Sequence, residues 1–209
     1  YTGSYSATTH NFDFRLKARH LPPTMSDLTP ISPESAMTEK SVLVFQEKFW
    51  SLTGNSGKVY DGEGNVVYTI QGKISITGHR IITDADGNEV AQMNKKFLDL
   101  VRRTCYLGDM KDGKKISIKA TDLRNITTKN ASFYRGDEKL GRVEGGFLAK
   151  DMKVTIGDRV VAEADRKWLK PAAFANCDTY PISIEPGVDR LFIAMLIMAY
   201  DEMYADNNN

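Results

Sequence analysis

The run Leu191-Phe-Ile-Ala-Met-Leu-Ile-Met-Ala-Tyr200, close to the end of the 209-residue chain, decides the fold. An α-helix built from ten consecutive apolar residues would be apolar on every face, so it must be buried on all sides. At ~1.5 Å per residue the run is about 15 Å long, half of the ~30 Å core of a bilayer, and too short to span it. The acidic residue Asp189 suits the positive N-terminal end of such a helix. We therefore predict a buried helix that follows Pro186-Gly187.

Upstream of this run, from about residue 39, the sequence is typical of short β-strands joined by hairpin turns. Segments rich in Val, Ile, Thr and aromatic residues alternate with clusters of Gly, Asp and Asn, which adopt positive φ at low cost. Two clusters, Asp61–Asn65 and Asp84–Asn88, share one pattern, and Gly-Asp pairs follow at 136–137 and 157–158. Roughly ten strands separated in this way indicate a barrel or a sandwich.

Alternate residues within several of these segments are apolar, as expected for strands with one face in a core. A closed barrel of amphipathic strands offers one economical place for a helix that is apolar all round, namely its interior. The apolar rows are Ile74 and Ile76; Ile116 and Ile118; Met152, Val154 and Ile156; and Tyr180, Ile182 and Ile184.

The first 36 residues differ in composition from the rest of the chain. They are rich in Ser, Thr and Pro and have no sustained periodicity, which predicts a disordered tail over residues 1–36 and a single domain over residues 39–206. The first 40 residues contain no apolar segment typical of a secretory signal. Cys105 and Cys177 have no metal-ligand spacing, which favours two reduced thiols in an intracellular, cytoplasmic protein over a secreted protein with one disulfide.

Three stretches together resemble a known family. Val59–Tyr68 and Thr83–Val90 carry the two related turns, and Asp178–Asp189 leads into the apolar run. In this order they resemble the LURP-one-related family, a relative of the tubby C-terminal domain and the phospholipid scramblases. The resemblance extends from about Phe45 to Tyr204. It implies a mainly β fold, a closed 12-stranded barrel of hairpins that encloses an apolar C-terminal helix.

The resemblance also carries expectations about function. No enzymatic activity is established in the LURP-one-related family, and tubby domains bind phosphoinositides, so the expected protein is a non-enzymatic domain that binds anionic phospholipid. The tubby lipid contacts do not align with positions in this chain. The acidic calcium-binding segment of the scramblases has no counterpart either, which argues against lipid scrambling.

Candidate catalytic and metal-ligating residues are few. Within the predicted domain His79 is the one histidine, and no nucleophile motif accompanies it, so we expect a turn histidine. Asp84, Asp86 and Asn88 alternate as in a calcium loop, but the sixth and twelfth positions of that loop are Glu89 and Lys95 instead of Gly and Glu. We predict no catalytic site, no metal and no cofactor, and leave an unrecognised enzyme as a third alternative.

Charge is balanced over the chain, with 28 Lys and Arg against 27 Asp and Glu, but it is unevenly placed. Residues 95–142 contain 13 basic against 6 acidic residues. If the basic residues converge on one face they predict a site for anionic headgroups and peripheral attachment to a membrane, whereas few aromatic residues interleave with them as nucleic-acid binding requires. The alternatives are solvated outer positions and a module that binds a protein partner. The candidate lipid-binding residues are Lys95, Lys96, Arg102, Arg103, Lys111, Lys114 and Lys115.

Overall fold

A computed structural model describes residues 22–46, 56–72, 79–96, 103–121, 129–145, 151–164 and 179–205. Twelve antiparallel strands follow one another around a closed barrel, and the last strand pairs with the first. The expected 12-stranded barrel is confirmed. The strands are β1 Ser41–Gln46, β2 Ser56–Asp61, β3 Val66–Gly72, β4 Arg80–Thr83, β5 Glu89–Lys95, β6 Cys105–Asp109, β7 Ile116–Ala120, β8 Asn130–Arg135, β9 Glu138–Glu144, β10 Lys153–Ile156, β11 Arg159–Ala164 and β12 Thr179–Ile184.

This strand order sends successive connections to alternate ends of the barrel. At one end, which we call the turn end, tight connections join β2 to β3, β4 to β5, β6 to β7, β8 to β9 and β10 to β11. The C-terminal helix also starts there, after β12. At the opposite end, which we call the helix-exit end, the connections lie outside the described residues; they are 47–55, 73–78, 97–102, 122–128, 146–150 and 165–178.

The hairpin turns expected from the sequence lie at the turn end. The backbone N–H of Asp61 donates to the carbonyl of Asn65 at 2.9 Å, and the Asp61 carboxylate accepts the backbone N–H of Asn65 at 2.9 Å. Asp84 and Asn88 repeat both bonds, at 3.0 and 2.8 Å. In each turn the glycine before the asparagine has positive φ. Both turns, and those at 136–137 and 157–158, are confirmed.

The expected rows of alternating apolar residues are buried where the structure describes them. Ile116 and Ile118 are buried, as are Met152, Val154 and Ile156, and β12 is buried along its whole length. The row at 74 and 76 lies outside the described residues.

The C-terminal helix, α2, runs from Arg190 to Ala205 through the barrel. Every residue from Leu191 to Tyr200 is buried, so no face of this part of the helix meets solvent, and the expected buried helix is confirmed. The Phe192 ring packs edge-on against Phe133 of β8, and the Tyr200 hydroxyl donates to the carbonyl of Lys129 at 2.6 Å. Among the described residues there is no helix with the length and apolar character needed to cross a membrane.

Residues 22–36 cover the turn end. They contain the short helix α1, Met25–Leu28, and a 3-10 turn, Pro33–Ser35, and they place Leu28 and Ile31 in the core. The expectation of a disordered tail that reaches residue 36 is therefore corrected for this segment. Its low apolar content is offset by partners far away in sequence, among them the ion pair of Asp27 with Arg135 at 3.0 Å. Residues 1–21 of the expected tail lie outside the described residues.

The buried carboxylate of Asp189 joins this segment to helix α2. It accepts the backbone N–H groups of Ile31 at 3.0 Å and Ser32 at 2.6 Å, and the hydroxyl of Ser35 at 2.5 Å. It also accepts the N–H of Phe192 at 2.9 Å, which caps the first turn of the helix. Burial raises the pKa of the Asp189 carboxyl, against these hydrogen bonds, which lower it. The carboxylate therefore depends on the segment for most of its hydrogen bonds.

We expect Asp189→Ala to lower the free energy of unfolding by about 3 kcal/mol or more, because several buried donors lose their acceptor at once. Urea denaturation followed by circular dichroism measures this loss. The control is Asp158→Ala, in an exposed turn at the same end, with an expected change within about 0.5 kcal/mol. A loss below about 1 kcal/mol in the Asp189 variant would contradict the role assigned to this carboxylate.

The burial of helix α2 leads to a second prediction. Met195 is 0% exposed and Met25 is 65% exposed, so the same substitution tests the inside and the outside of the protein. We expect Met195→Asp to abolish cooperative folding, since a buried unpaired charge costs several kcal/mol against a total stability of about 5–15 kcal/mol. Met25→Asp should melt within a few degrees of the unchanged protein. A soluble, cooperatively melting Met195 variant would show that the barrel does not need an apolar interior.

Candidate functional site

The seven candidate basic residues form two groups. Lys95 ends β5, Lys96 follows it, and Arg103 precedes β6, all at the helix-exit end. The group at 111–115 lies in the β6–β7 connection at the turn end. Strand β6 alone, from Cys105 to Asp109, separates the groups by about 13 Å at ~3.3 Å per residue. The described residues among the seven therefore do not form one group, and the lipid-binding role expected for them stays a prediction. Arg102 lies outside the described residues.

The group at the turn end is set among carboxylates. Lys115 pairs with Asp109 at 2.5 Å, and the Lys114 ammonium lies 5.5 Å from the centre of the Tyr106 ring. The backbone N–H of Lys111 donates to the same Asp109 carboxylate at 2.9 Å. Over the turn-end connections, residues 61–65, 84–89, 109–115, 135–138, 157–159 and 185–190 hold twelve acidic and six basic residues. The turn end is therefore acidic on balance.

The helix-exit end has the opposite character along β4 to β8. The strand ends there, residues 79–81, 94–96, 103–105, 119–121 and 129–131, carry no carboxylate. They do carry cations, four of which contact the last turns of helix α2, and Lys96 lies beside Lys95 at the same strand end. We call these five residues the basic rim: Arg80, Lys95, Lys96, Arg103 and Lys129.

Helix α2 supplies one carboxylate and one backbone carbonyl that face the rim. One carboxylate oxygen of Glu202 lies 3.1 Å from Nε of Arg80, and the other lies 3.9 Å from Nζ of Lys95. The guanidinium of Arg103 donates to the carbonyl of Met203, near the negative end of the helix dipole. The Glu202 side chain is only 13% exposed, so this carboxylate is largely enclosed between the helix and the barrel wall.

Aromatic residues of the helix meet the remaining part of the rim. The Lys129 ammonium lies 5.5 Å from the centre of the Tyr204 ring, a distance that suits a cation–π contact. The Tyr204 hydroxyl donates to the carbonyl of Asn130 at 2.6 Å and accepts the N–H of the same residue at 3.1 Å. The end of the helix is thus fixed against β8.

Sequence reasoning missed Arg80, Lys129 and Glu202, because it searched for basic residues that cluster along the chain. A usable signal was present in the turns. In a barrel of consecutive hairpins every second connection lies at the same end. The acidic turns therefore identify one end, and the connections between successive acidic turns lie at the other. Arg80 begins β4, the strand that leads into the turn at Asp84, so it lies at the opposite end of the barrel from that turn.

The groups considered for catalysis are engaged in structural contacts. Nδ1 of His79 lies 2.6 Å from the side-chain oxygen of Asn94 on the neighbouring strand. Cys105 is buried, and burial raises the pKa of its thiol to about 12, so it is protonated at neutral pH and a poor nucleophile. Within the described part of the chain, no three His, Cys, Asp or Glu side chains are grouped so that they could hold a metal ion. Cys177 lies outside that part.

These features define a class of domain, a closed antiparallel barrel of twelve strands threaded by an apolar C-terminal helix. The family model for LURP-one-related proteins matches residues 41–201, and the chain belongs to that family. The resemblance expected from the sequence is confirmed. The match begins after the segment that covers the turn end.

Curated relatives from Arabidopsis thaliana agree with this assignment. Protein LURP-one-related 15 is 26% identical over 166 residues, which cover 75% of this chain and 76% of the relative. Protein LURP-one-related 10 is 21% identical over 189 residues, which cover 85% and 97% of the two chains. Protein LURP-one-related 1 is 22% identical over 183 residues, covering 83% and 82%. No solved structure gives a significant match.

We expect a measurable coupling energy between Arg80 on the barrel wall and Glu202 on helix α2. The two side chains are 15% and 13% exposed, whereas those of the Lys40–Glu185 pair are 33% and 36% exposed. In a double-mutant cycle with Arg80→Gln and Glu202→Gln we expect a coupling energy of about 1–3 kcal/mol, because little solvent screens this pair. The matched cycle on Lys40 and Glu185 should give about 0–1 kcal/mol. Equal coupling in the two cycles would show that burial of the helix pair adds nothing to stability.

Proposed function

We propose that this chain is a non-enzymatic binding module that attaches to membranes containing anionic phospholipid, with the basic rim facing the lipid. The observation that carries the proposal is the separation of charge along the barrel axis. Cations border the helix-exit end on β4 to β8, and carboxylates predominate in the connections of the turn end. Within the described residues, the part of the helix-exit end on β4 to β8 and the turn end therefore differ in the sign of their charge, although the total charge of the chain is nearly balanced.

The dimensions of the barrel support one orientation at an anionic surface. The seven residues of β3 span about 20 Å at ~3.3 Å per residue, whereas screening at physiological salt acts over a Debye length of about 8 Å. The acidic turns are therefore screened from a surface that the rim touches. Each basic residue close to an anionic surface contributes about 1 kcal/mol, so the rim residues that do not face Glu202 already favour reversible attachment.

A role in binding fits the chemistry of the described residues better than catalysis does. The thiol of Cys105 is buried and protonated, and the His79 ring is engaged by Asn94. A free, reduced cysteine also fits a location inside the cell, where the anionic lipids of the cytoplasmic leaflet are accessible. The proposed attachment is peripheral.

The second candidate function, a module that binds a protein partner, is favoured by a different observation. The large apolar side chains that are exposed in the described part of the chain all belong to the turn end or to the segment that covers it. Such side chains are enriched at the centre of protein interfaces. On this alternative the turn end, and not the rim, would be the interaction surface. The residues are Met25, Met37, Met110 and Val160.

Charge reversal at the two ends separates the candidates. We expect the double variant Lys96→Glu and Lys129→Glu to weaken binding to phosphatidylcholine vesicles that contain phosphatidylserine by about 30-fold or more, since two contributions of about 1 kcal/mol are lost. The matched control, Lys111→Glu and Lys114→Glu, changes the net charge equally at the turn end and should bind nearly as the unchanged protein does. Vesicle sedimentation measures both, and thermal melting checks the fold.

Salt and lipid composition provide the remaining tests of this proposal. Binding should fall steeply as salt rises, and vesicles of phosphatidylcholine alone should bind little. Equal binding to neutral and anionic vesicles would exclude an electrostatic mode. No binding to either kind of vesicle would favour the protein-partner alternative.

A further inference from the structure

The carboxylate of Glu202 occupies the part of the basic rim that an anionic headgroup would need. It lies between Arg80, at 3.1 Å, and Lys95, at 3.9 Å, on the last turns of helix α2. We infer that Glu202 is an internal competitor for the anion that the rim binds, an inference that rests on the proposed function. The ligand class is a phosphate or carboxylate group of a phospholipid headgroup.

The chemistry of the three side chains supports a competing role. A guanidinium offers planar donors that fit a carboxylate and a phosphate equally well, and a neighbouring ammonium adds charge to either anion. The Arg80 side chain is 15% exposed and that of Lys95 is 32% exposed, so the site opens toward solvent on the Lys95 side. An anion arriving from that side meets Lys95 first and reaches Arg80 only if Glu202 moves away.

Removal of the Glu202 charge should therefore strengthen anion binding. Without its carboxylate, the mostly buried Arg80 guanidinium would lose a counter-charge that helps to compensate its desolvation, and an external anion could replace it. If the ion pair had only a structural role, removal of the Glu202 charge would have no specific effect on anion binding. In that case the charge change would act on vesicle binding only through net charge, wherever on the helix it was made.

The test compares Glu202→Gln with Asp201→Asn, which makes the same charge change one residue earlier on the helix. The probe is vesicles of phosphatidylcholine with phosphatidylserine, and the readout is the partition coefficient. We expect Glu202→Gln to bind about five- to ten-fold more tightly, the equivalent of about one additional basic contact, and Asp201→Asn to bind within about two-fold of the unchanged protein. The double variant Arg80→Gln with Glu202→Gln should lose the gain.

Two further measurements test whether the gain depends on the position of the carboxylate and which anion binds. Glu202→Asp retains the charge but shortens the side chain by one methylene, so it should also bind more tightly even if the glutamine variant folds poorly. Competition with soluble glycerophosphoserine and with inorganic phosphate distinguishes the source of the anion. Displacement from vesicles by millimolar inorganic phosphate as readily as by glycerophosphoserine would assign the site to free anions, and this would overturn a membrane headgroup as the ligand.

The outcomes separate this inference from the proposed function. Rim-dependent binding of the unchanged protein, with no gain in the Glu202 variants or with an equal gain in Asp201→Asn, would overturn the inference alone. Binding by Glu202→Gln where the unchanged protein binds weakly would support it. Absence of binding in every variant would overturn both.

Discussion

The apolar helix α2 is the constraint on which the rest of the structure depends. All residues from Leu191 to Tyr200 are buried, so the surrounding wall must be closed and apolar on its inner face. A barrel of eight strands is filled by its own side chains, and a wider barrel is needed to enclose a helix. Twelve strands provide that width, and alternation along each strand turns one set of side chains toward the helix. Wall and helix therefore depend on each other for folding.

The sequence was sufficient for those parts of the fold that depend on local pattern. The apolar run identified the helix, and the Asp and Gly of each turn identified the hairpins, because both signals lie within a few residues. It was insufficient for residues 22–36. Their composition resembles that of a disordered tail, but their backbone N–H groups find the Asp189 carboxylate more than 150 positions away. The composition of a segment describes that segment in isolation, and it contains no information on a partner that is brought close only in the folded chain.

The candidate site was predicted in part for a related reason. Lys95, Lys96 and Arg103 do lie at one end of the barrel, because a strand end and the next strand start are neighbours in any hairpin. The basic residues at 111–115 lie at the opposite end, since one strand is enough to cross the barrel. Arg80 joins the rim through the pairing of β4 with β5, a register that the sequence did not specify. A count of charges along the chain combines residues from both ends of the barrel, so it does not reveal that basic and acidic residues are separated in space.

The proposed function links stability and binding at the rim. The Arg80–Glu202 contact holds the end of helix α2 to the wall, so an anion that takes over Arg80 must also release part of that contact. By linkage, the free energy with which the ion pair fixes the helix opposes the binding of the anion by an equal amount. The apolar part of the helix is not involved in this exchange, because residues 191–200 remain enclosed by the barrel. On this proposal the first three turns of the helix stabilise the core and its last turn limits anion binding, so separate parts of the helix serve the two roles.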